Sequence, residues 1–165
     1  MSSISHTSSP SSPTQSATTL REESRNSLIQ RGKIAISQHN FDEADAYFEE
    51  ATSLDSLSAE LTRECGVLFL DSAKESGKRR PLTLACRWLK RTSSLAPTDG
   101  TNWWLLATAL SLCQKGNIDE AFTMARRFAG EEERPHIERD YASFLLSRAD
   151  QSGEYSDLTA AITTC

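Results

Sequence analysis

The sequence lacks the residue clusters that bind metals or perform catalysis. Its four cysteines lie far apart without any CxxC pair, and its three histidines are equally scattered. No histidine lies near a serine or cysteine in a recognisable motif, and no glycine-rich loop precedes a helix as a phosphate-binding loop does. We therefore expect no catalytic activity, no metal and no cofactor. We expect Cys65, Cys86 and Cys113 to be small apolar residues on packed helices in a reducing compartment.

Long apolar runs and an excess of positive charge are also missing. No apolar run is long enough to span a membrane, and the N-terminus has neither the basic start nor the apolar stretch of a secretory signal. The net charge of -5 argues against general nucleic-acid binding and against association with an anionic membrane surface. The composition thus favours a cytoplasmic protein that binds no nucleic acid and does not insert into a membrane.

Large apolar side chains are scarce in residues 1–20, which are mostly serine, threonine and proline. Such a segment buries too little surface to offset the entropy of ordering its backbone, so we predict a disordered tail over 1–20 and one folded domain over 21–165. Three interpretations of the tail stay open. They are proline-directed phosphorylation at Ser9-Pro10 and Ser12-Pro13, a polar leader like that of bacterial secreted proteins, and no function of its own.

The clearest pattern that is present lies in residues 39–55. Ala44, Phe48 and Ala51 are spaced at i, i+4 and i+7, which places them on one stripe of an α-helix. The small residues of this stripe let a neighbouring helix come close. A related pattern follows at 116–121, where a glycine supplies a turn between two helices. The recurrence indicates one helical unit copied along the chain.

The small, aromatic, small order of this stripe resembles the second helix of a tetratricopeptide repeat. The resemblance covers about residues 25–165 and implies an all-α solenoid of antiparallel helix pairs, with about three to four repeats. Gly77 and Pro81 are expected to break the helices of the second unit around a long loop, the segment 74–81. The expected repeats span 25–56, 57–98, 101–134 and 138–165.

The resemblance also implies where a ligand would bind. In the family, the first helix of each pair lines an inner groove that holds an extended or helical peptide. Most residues at the matching positions here are apolar, and an exposed apolar trough normally marks a binding site. The implied groove residues are Ile29, Lys33, Ile36, Arg63, Val67, Leu70, Trp103, Leu106 and Leu110.

The function implied by the resemblance is a non-catalytic scaffold that binds an apolar peptide segment of a protein partner in this groove. The alternative is a type III secretion chaperone of the tetratricopeptide class that holds a translocator. Capture of a chaperone's terminal carboxylate is not expected, because Lys33 alone is basic among the residues that match the family's carboxylate-binding positions, which here are Ile29, Lys33, Glu60, Glu64 and Trp103. A rival to ligand binding also stays open: residues 20–29 or a second protomer of a homodimer could bury the groove.

Charge is unevenly distributed along the predicted helices. The segment 74–81 together with Arg87, Lys90 and Arg91 forms a basic region on an otherwise acidic protein. This region is either a solvated surface or a docking patch for an acidic partner. Four carboxylates are expected to be solvated charges at the start and on the outer face of a helix rather than an acid/base pair: Asp42, Glu43, Glu49 and Glu50.

Overall fold

The fold contains only helices in the residues that the structure, a computed structural model, describes. These residues are 13–54, 58–153 and 155–164, and they form eight α-helices without a strand. The predicted all-α class is therefore confirmed for this part of the chain, whereas the tetratricopeptide solenoid stays a prediction. The helices are α1 (Pro13–Ser37), α2 (Phe41–Leu54), α3 (Ala59–Ser76), α4 (Arg79–Leu95), α5 (Gly100–Cys113), α6 (Ile118–Phe128), α7 (Arg134–Ser152) and α8 (Tyr155–Thr164).

The helices follow one another in pairs, α1 with α2, α3 with α4, α5 with α6 and α7 with α8, and each helix packs on its pair partner. Short turns connect α1 to α2, α3 to α4 and α5 to α6, so the helices of these pairs run antiparallel. The turn after α3 depends on Gly77, whose φ of 65° is in the left-handed region and whose N–H donates to the Ala73 carbonyl. Gly116, with a φ of 86°, reverses the chain before α6.

The predicted long loop in the second pair is wrong. α3 continues through Ser76 and α4 begins at Arg79, so only Gly77 and Lys78 connect the two helices. Pro81 does not break the helix because it lies in the first turn of α4, where the N–H that proline lacks would have no partner within the helix. The basic segment therefore lies at a tight corner between two helices.

The predicted disordered tail needs a correction as well. α1 begins at Pro13, so residues 13–20 are helical, and residues 16–20 are exposed. Proline suits a first helical turn, and Ala17, Leu20 and Arg21 are good helix formers that composition alone undervalued. The rest of the predicted tail, including Ser9-Pro10 and Ser12, lies outside the described residues.

The core is centred on three aromatic side chains from successive helices. Phe48 of α2 meets Phe69 of α3 edge to face at 5.6 Å and Trp88 of α4 at 6.5 Å between ring centroids. The predicted stripe is confirmed as core, since Phe48 and the alanines on either side of it are fully buried. Close approach depends on Gly32 in α1, because a Cβ there would lie 2.4 Å from the Phe48 ring.

Candidate binding clefts

The structure separates the predicted groove residues into two groups. Ile29, Leu70 and Leu106 are only 9%, 1% and 4% exposed, so they belong mainly to the core and offer little surface to a ligand. A position projected from a sequence pattern does not show how closely the neighbouring helices pack, which is why these three were included. The remaining six are half-buried and stay accessible: Lys33, Ile36, Arg63, Val67, Trp103 and Leu110.

The basic residues of the predicted groove are bound to neighbouring helices. Lys33 of α1 forms an ion pair with Glu64 of α3, with 2.8 Å between Nζ and Oε1. Arg63 of α3 reaches the start of α5, where its Nη1 lies 3.4 Å from Asp99 Oδ2 and 3.5 Å from Asn102 Oδ1. Partly exposed pairs of this kind stabilise a fold only weakly. They nevertheless connect α1, α3 and α5, which are the first helices of three successive pairs.

The α5 residues of the predicted groove line a cleft of about 240 Å³ between α4, α5 and α6, which we name the tryptophan cleft. The Trp103 indole is held there because its Nε1 donates to the Pro97 carbonyl at 2.8 Å. No residue of α1 or α3 lines this cleft, so the structure brings together only the α5 part of the predicted groove. The lining residues are Lys90, Ser93, Ser94, Trp103, Leu106, Leu110, Gly116, Asn117, Glu120 and Ala121.

One rim of the tryptophan cleft is fixed by the start of α6. The Asn117 side chain accepts a hydrogen bond from the Glu120 backbone N–H at 3.3 Å, and its Nδ2 donates to Glu120 Oε2 at 2.7 Å. This exchange resembles a capping box, which satisfies N–H groups that a helix start leaves unpaired. The rim therefore presents ordered polar groups beside the apolar wall of Leu110 and Trp103.

A second cleft of about 600 Å³ lies where α3 ends, α4 begins and α5 ends, and we name it the basic cleft. It is lined by four cationic side chains, and among the described residues no Asp or Glu lines it. Its apolar surface comes from residues such as Leu82, Leu112 and Cys113. The lining residues are Ala73, Lys74, Gly77, Lys78, Arg79, Leu82, Thr83, Leu112, Cys113, Gln114 and Lys115.

The other arginines of the predicted basic region are bound to carboxylates of α2. Arg80 pairs with Asp42, and Arg87 pairs with Asp45. Glu49 accepts from both Arg87 and Arg91 at 3.3 and 3.0 Å. Glu49, which was expected to be a solvated charge, is thus paired between α2 and α4, whereas the Asp42 side chain stays 75% exposed although it pairs with Arg80. We name these ion pairs between α2 and α4 the paired arginine stripe.

The paired arginine stripe also contacts the core through Trp88. The Trp88 Nε1 donates to Asp45 Oδ1 at 2.8 Å, and the guanidinium groups of Arg87 and Arg91 lie 5.8 and 5.3 Å from the ring centroid. Cations over an indole face are attracted by its π electrons. A sequence signal for this pairing exists. The three carboxylates of the stripe are spaced at i, i+3 and i+7 on α2, and its three arginines at i, i+7 and i+11 on α4, so each set lies on one face of its helix.

Two cysteines that are distant in sequence meet at the basic cleft, which Cys113 lines. The Sγ atoms of Cys86 and Cys113 lie 3.2 Å apart, which is too far for a disulfide bond. Burial and the hydrogen bond with Cys113 raise the pKa of Cys86 to about 12, and burial raises the pKa of Cys65 to about 12. Both thiols are therefore protonated and weakly nucleophilic at neutral pH, as small packed residues would be.

Comparison with known proteins adds no family to this description. No model of a known protein family matches the chain, and no curated protein sequence matches it. Within the described ranges there is no cluster of three or more His, Cys, Asp or Glu side chains suited to a metal. In the same part of the chain, no helix has the length and apolar character needed to cross a bilayer. The described residues thus define an all-helical fold with paired helices and open clefts.

Proposed function

We propose that the chain is a non-catalytic interaction module, similar to tetratricopeptide scaffolds, that binds an apolar peptide segment in the tryptophan cleft. The observation that supports this proposal is the open apolar wall of Trp103 and Leu110 beside an ordered polar rim. Tryptophan is among the residues that contribute most to binding energy at protein interfaces. A held indole also loses little conformational entropy when a ligand arrives.

The size of the tryptophan cleft favours a peptide side chain over a whole small molecule. Its volume of about 240 Å³ is below the usual range for small-molecule pockets, which begins near 300 Å³. One or two apolar side chains fit such a space. The polar groups of Lys90, Asn117 and Glu120 at its rim are then available to the backbone of the bound segment.

The described part of α1 does not occupy the tryptophan cleft. The residues that were expected to fold back, 20–29, lie within α1, and Leu28 packs in the core. Among the α1 residues whose side chains are described, 16–37, none lines the cleft. A peptide from another molecule is therefore the occupant that we propose, and a second copy of the chain is an outcome that the experiment must distinguish.

Replacement of Trp103 tests the proposal. We expect Trp103→Ala to weaken binding of a fluorescent, leucine- and phenylalanine-rich peptide by at least about thirtyfold, a hot-spot loss of about 2 kcal/mol. The matched control is Trp104→Ala, since Trp104 lies on another face of α5, donates to Asp140 and stacks with His136. Fluorescence anisotropy measures binding, and circular dichroism verifies that both variants are folded.

Three results would contradict the proposal. Trp103→Ala could bind the peptide as tightly as the wild type, or Trp104→Ala could lose binding to the same extent. Alternatively, sedimentation could show a dimer of the wild type that Trp103→Ala dissociates, which would assign the tryptophan cleft to a second copy. We avoid Leu106→Asp as a test because Leu106 is buried, and a carboxylate there would unfold the protein.

A further inference from the structure

The basic cleft concentrates positive charge on a protein whose net charge is -5. Its cations come from three helix ends: Lys74 and Lys78 near the end of α3, Arg79 at the start of α4, and Lys115 after α5. In the described part of the chain, none of these four side chains forms an ion pair, in contrast to the arginines of the paired arginine stripe. Within the described fold, no carboxylate at ion-pairing distance offsets their mutual repulsion, and the one aromatic contact among them places Lys78 Nζ 5.7 Å from the centroid of the Phe41 ring.

Helix dipoles explain only part of this arrangement. Lys74 and Lys115 lie near the carbonyl ends of α3 and α5, where positive charge is favourable. Arg79 is the first residue of α4, where positive charge is unfavourable, and the first turn of α4 contains no acidic residue. The preceding Lys78 gives this helix no side-chain cap. The charge at this corner opposes the stability of α4, and a bound anion would reverse that effect.

The floor of the basic cleft is apolar. Leu112 of α5 is 50% exposed, and Leu82 and Cys113 continue the apolar surface between the cations. Such a floor favours a ligand that has an apolar group as well as negative charge. The volume of about 600 Å³ accommodates several side chains of a peptide.

We infer that the basic cleft docks an acidic segment of a partner protein, in which an apolar side chain lies between carboxylates. The apolar side chain covers Leu82 and Leu112, and the carboxylates pair with Lys78, Arg79 and Lys115. This inference does not depend on the tryptophan cleft. The chain's own residues 1–12 contain no Asp or Glu and do not supply such a segment.

Charge and shape favour an acidic protein segment over other anions. A nucleic acid would meet a protein with 23 acidic and 18 basic residues, so repulsion outside the cleft would oppose its binding. A membrane surface is flat, so a bilayer would cover the apolar floor of a cleft less completely than a peptide segment that lies inside it. A free phosphate would leave the apolar floor in water and would gain nothing from it.

The experiment uses the full chain and an array of peptides in which a central leucine is flanked by glutamates, by glutamines or by lysines. We expect the glutamate series to bind, and the affinity to fall when salt is raised from about 0.05 M to about 0.5 M. Lys78→Glu combined with Lys115→Glu should weaken binding at least about tenfold. The control pair, Arg21→Glu with Arg127→Glu, changes the net charge equally at exposed sites outside the basic cleft and should bind as the wild type does.

Each remaining result would overturn the inference. If the glutamine series bound as tightly as the glutamate series, carboxylates would not be recognised. If no series bound more tightly than the others, the basic cleft would not select an acidic segment. Equal loss in the control pair would assign binding to net charge alone. A single-stranded oligonucleotide, inorganic phosphate or anionic vesicles could displace the bound glutamate peptide more effectively than the unlabelled glutamate peptide does. That result would identify another class of ligand. Self-association that the cleft variant abolishes would identify a second copy instead. Thermal unfolding of both variant pairs shows whether they are folded.

Discussion

Two sets of basic side chains lie at or near α4, and they have opposite roles in the structure. In the paired arginine stripe, Arg80, Arg87 and Arg91 are bound to carboxylates of α2. In the basic cleft, Lys78 and Arg79 line an open surface together with two other lysines and without an acidic neighbour in the lining. The two sets contain similar residue types, and Arg79 of the basic cleft is even adjacent in sequence to Arg80 of the paired arginine stripe.

The difference shows that the number of positive charges on a surface does not reveal which of them can bind a partner. A cation that already contacts a carboxylate must lose that contact before it binds another anion, and this loss reduces the net gain. A cation without such a contact loses only its hydration. Stability and binding are therefore divided between the two sets, and substitutions at the two sets should have different consequences.

The largest expected effect lies beneath the paired arginine stripe. Trp88→Ala should lower the free energy of unfolding by about 3–5 kcal/mol, because it removes a buried ring that contacts Phe48 and donates to Asp45. Urea denaturation followed by circular dichroism measures the change. Trp103→Ala, which removes a half-buried indole, should cost less. A loss below about 1 kcal/mol for Trp88→Ala would show that the core does not depend on this contact.

An intermediate effect is expected from the carboxylate that joins the stripe to the core. Asp45→Ala should lower the free energy of unfolding by about 1–3 kcal/mol, since it leaves the Trp88 N–H without its acceptor and deprives Arg87 of a partner. The Asp45 side chain is 14% exposed, whereas that of Asp42 is 75% exposed. Asp42→Ala should therefore cost less than about 1 kcal/mol. Equal losses for the two variants in the same denaturation experiment would remove the distinction between them.

The smallest expected effect is a change in the free energy of unfolding that has opposite signs in the basic cleft and in the paired arginine stripe. Arg79→Glu should raise the free energy of unfolding by about 0.3–1 kcal/mol, because it places a carboxylate at the start of α4 and reduces repulsion in the basic cleft. Arg91→Glu, the same change on the same helix, should lower it, since Glu49 and the Trp88 face each lose one of their two cations. Chemical denaturation of both variants in parallel is the measurement. Destabilisation by Arg79→Glu would mean that Arg79 has a structural role.

The fold was more predictable from sequence than the sites were. Ala44, Phe48 and Ala51 repeat with the helical period, and this period arises within a single helix, so their burial followed directly from the sequence. The boundary of α4 was missed because Pro81 acts differently in a first turn than inside a helix. The burial of Ile29, Leu70 and Leu106 was missed because it depends on how closely other helices approach.

The candidate sites depend on contacts between residues that are distant in sequence. The predicted groove contained the α5 residues of the tryptophan cleft but not Ser93, Ser94 or Asn117, which come from the helices on either side. The basic segment was recognised as a possible docking patch, but its limits were not. Lys115, which follows α5, lines the basic cleft as well, whereas Arg87 and Arg91 pair with a carboxylate of α2 instead.

The helical character of the described residues and the buried face of α2 could both be inferred from the sequence, because both properties depend on side chains a few residues apart on the same helix. The packing of the helices, by contrast, fixes which arginines are paired and which cations face a cleft. Ion pairing depends on distances between helices, and those distances are set by packing contacts such as that of Gly32 with Phe48. The charge pattern of one segment contains no information about them.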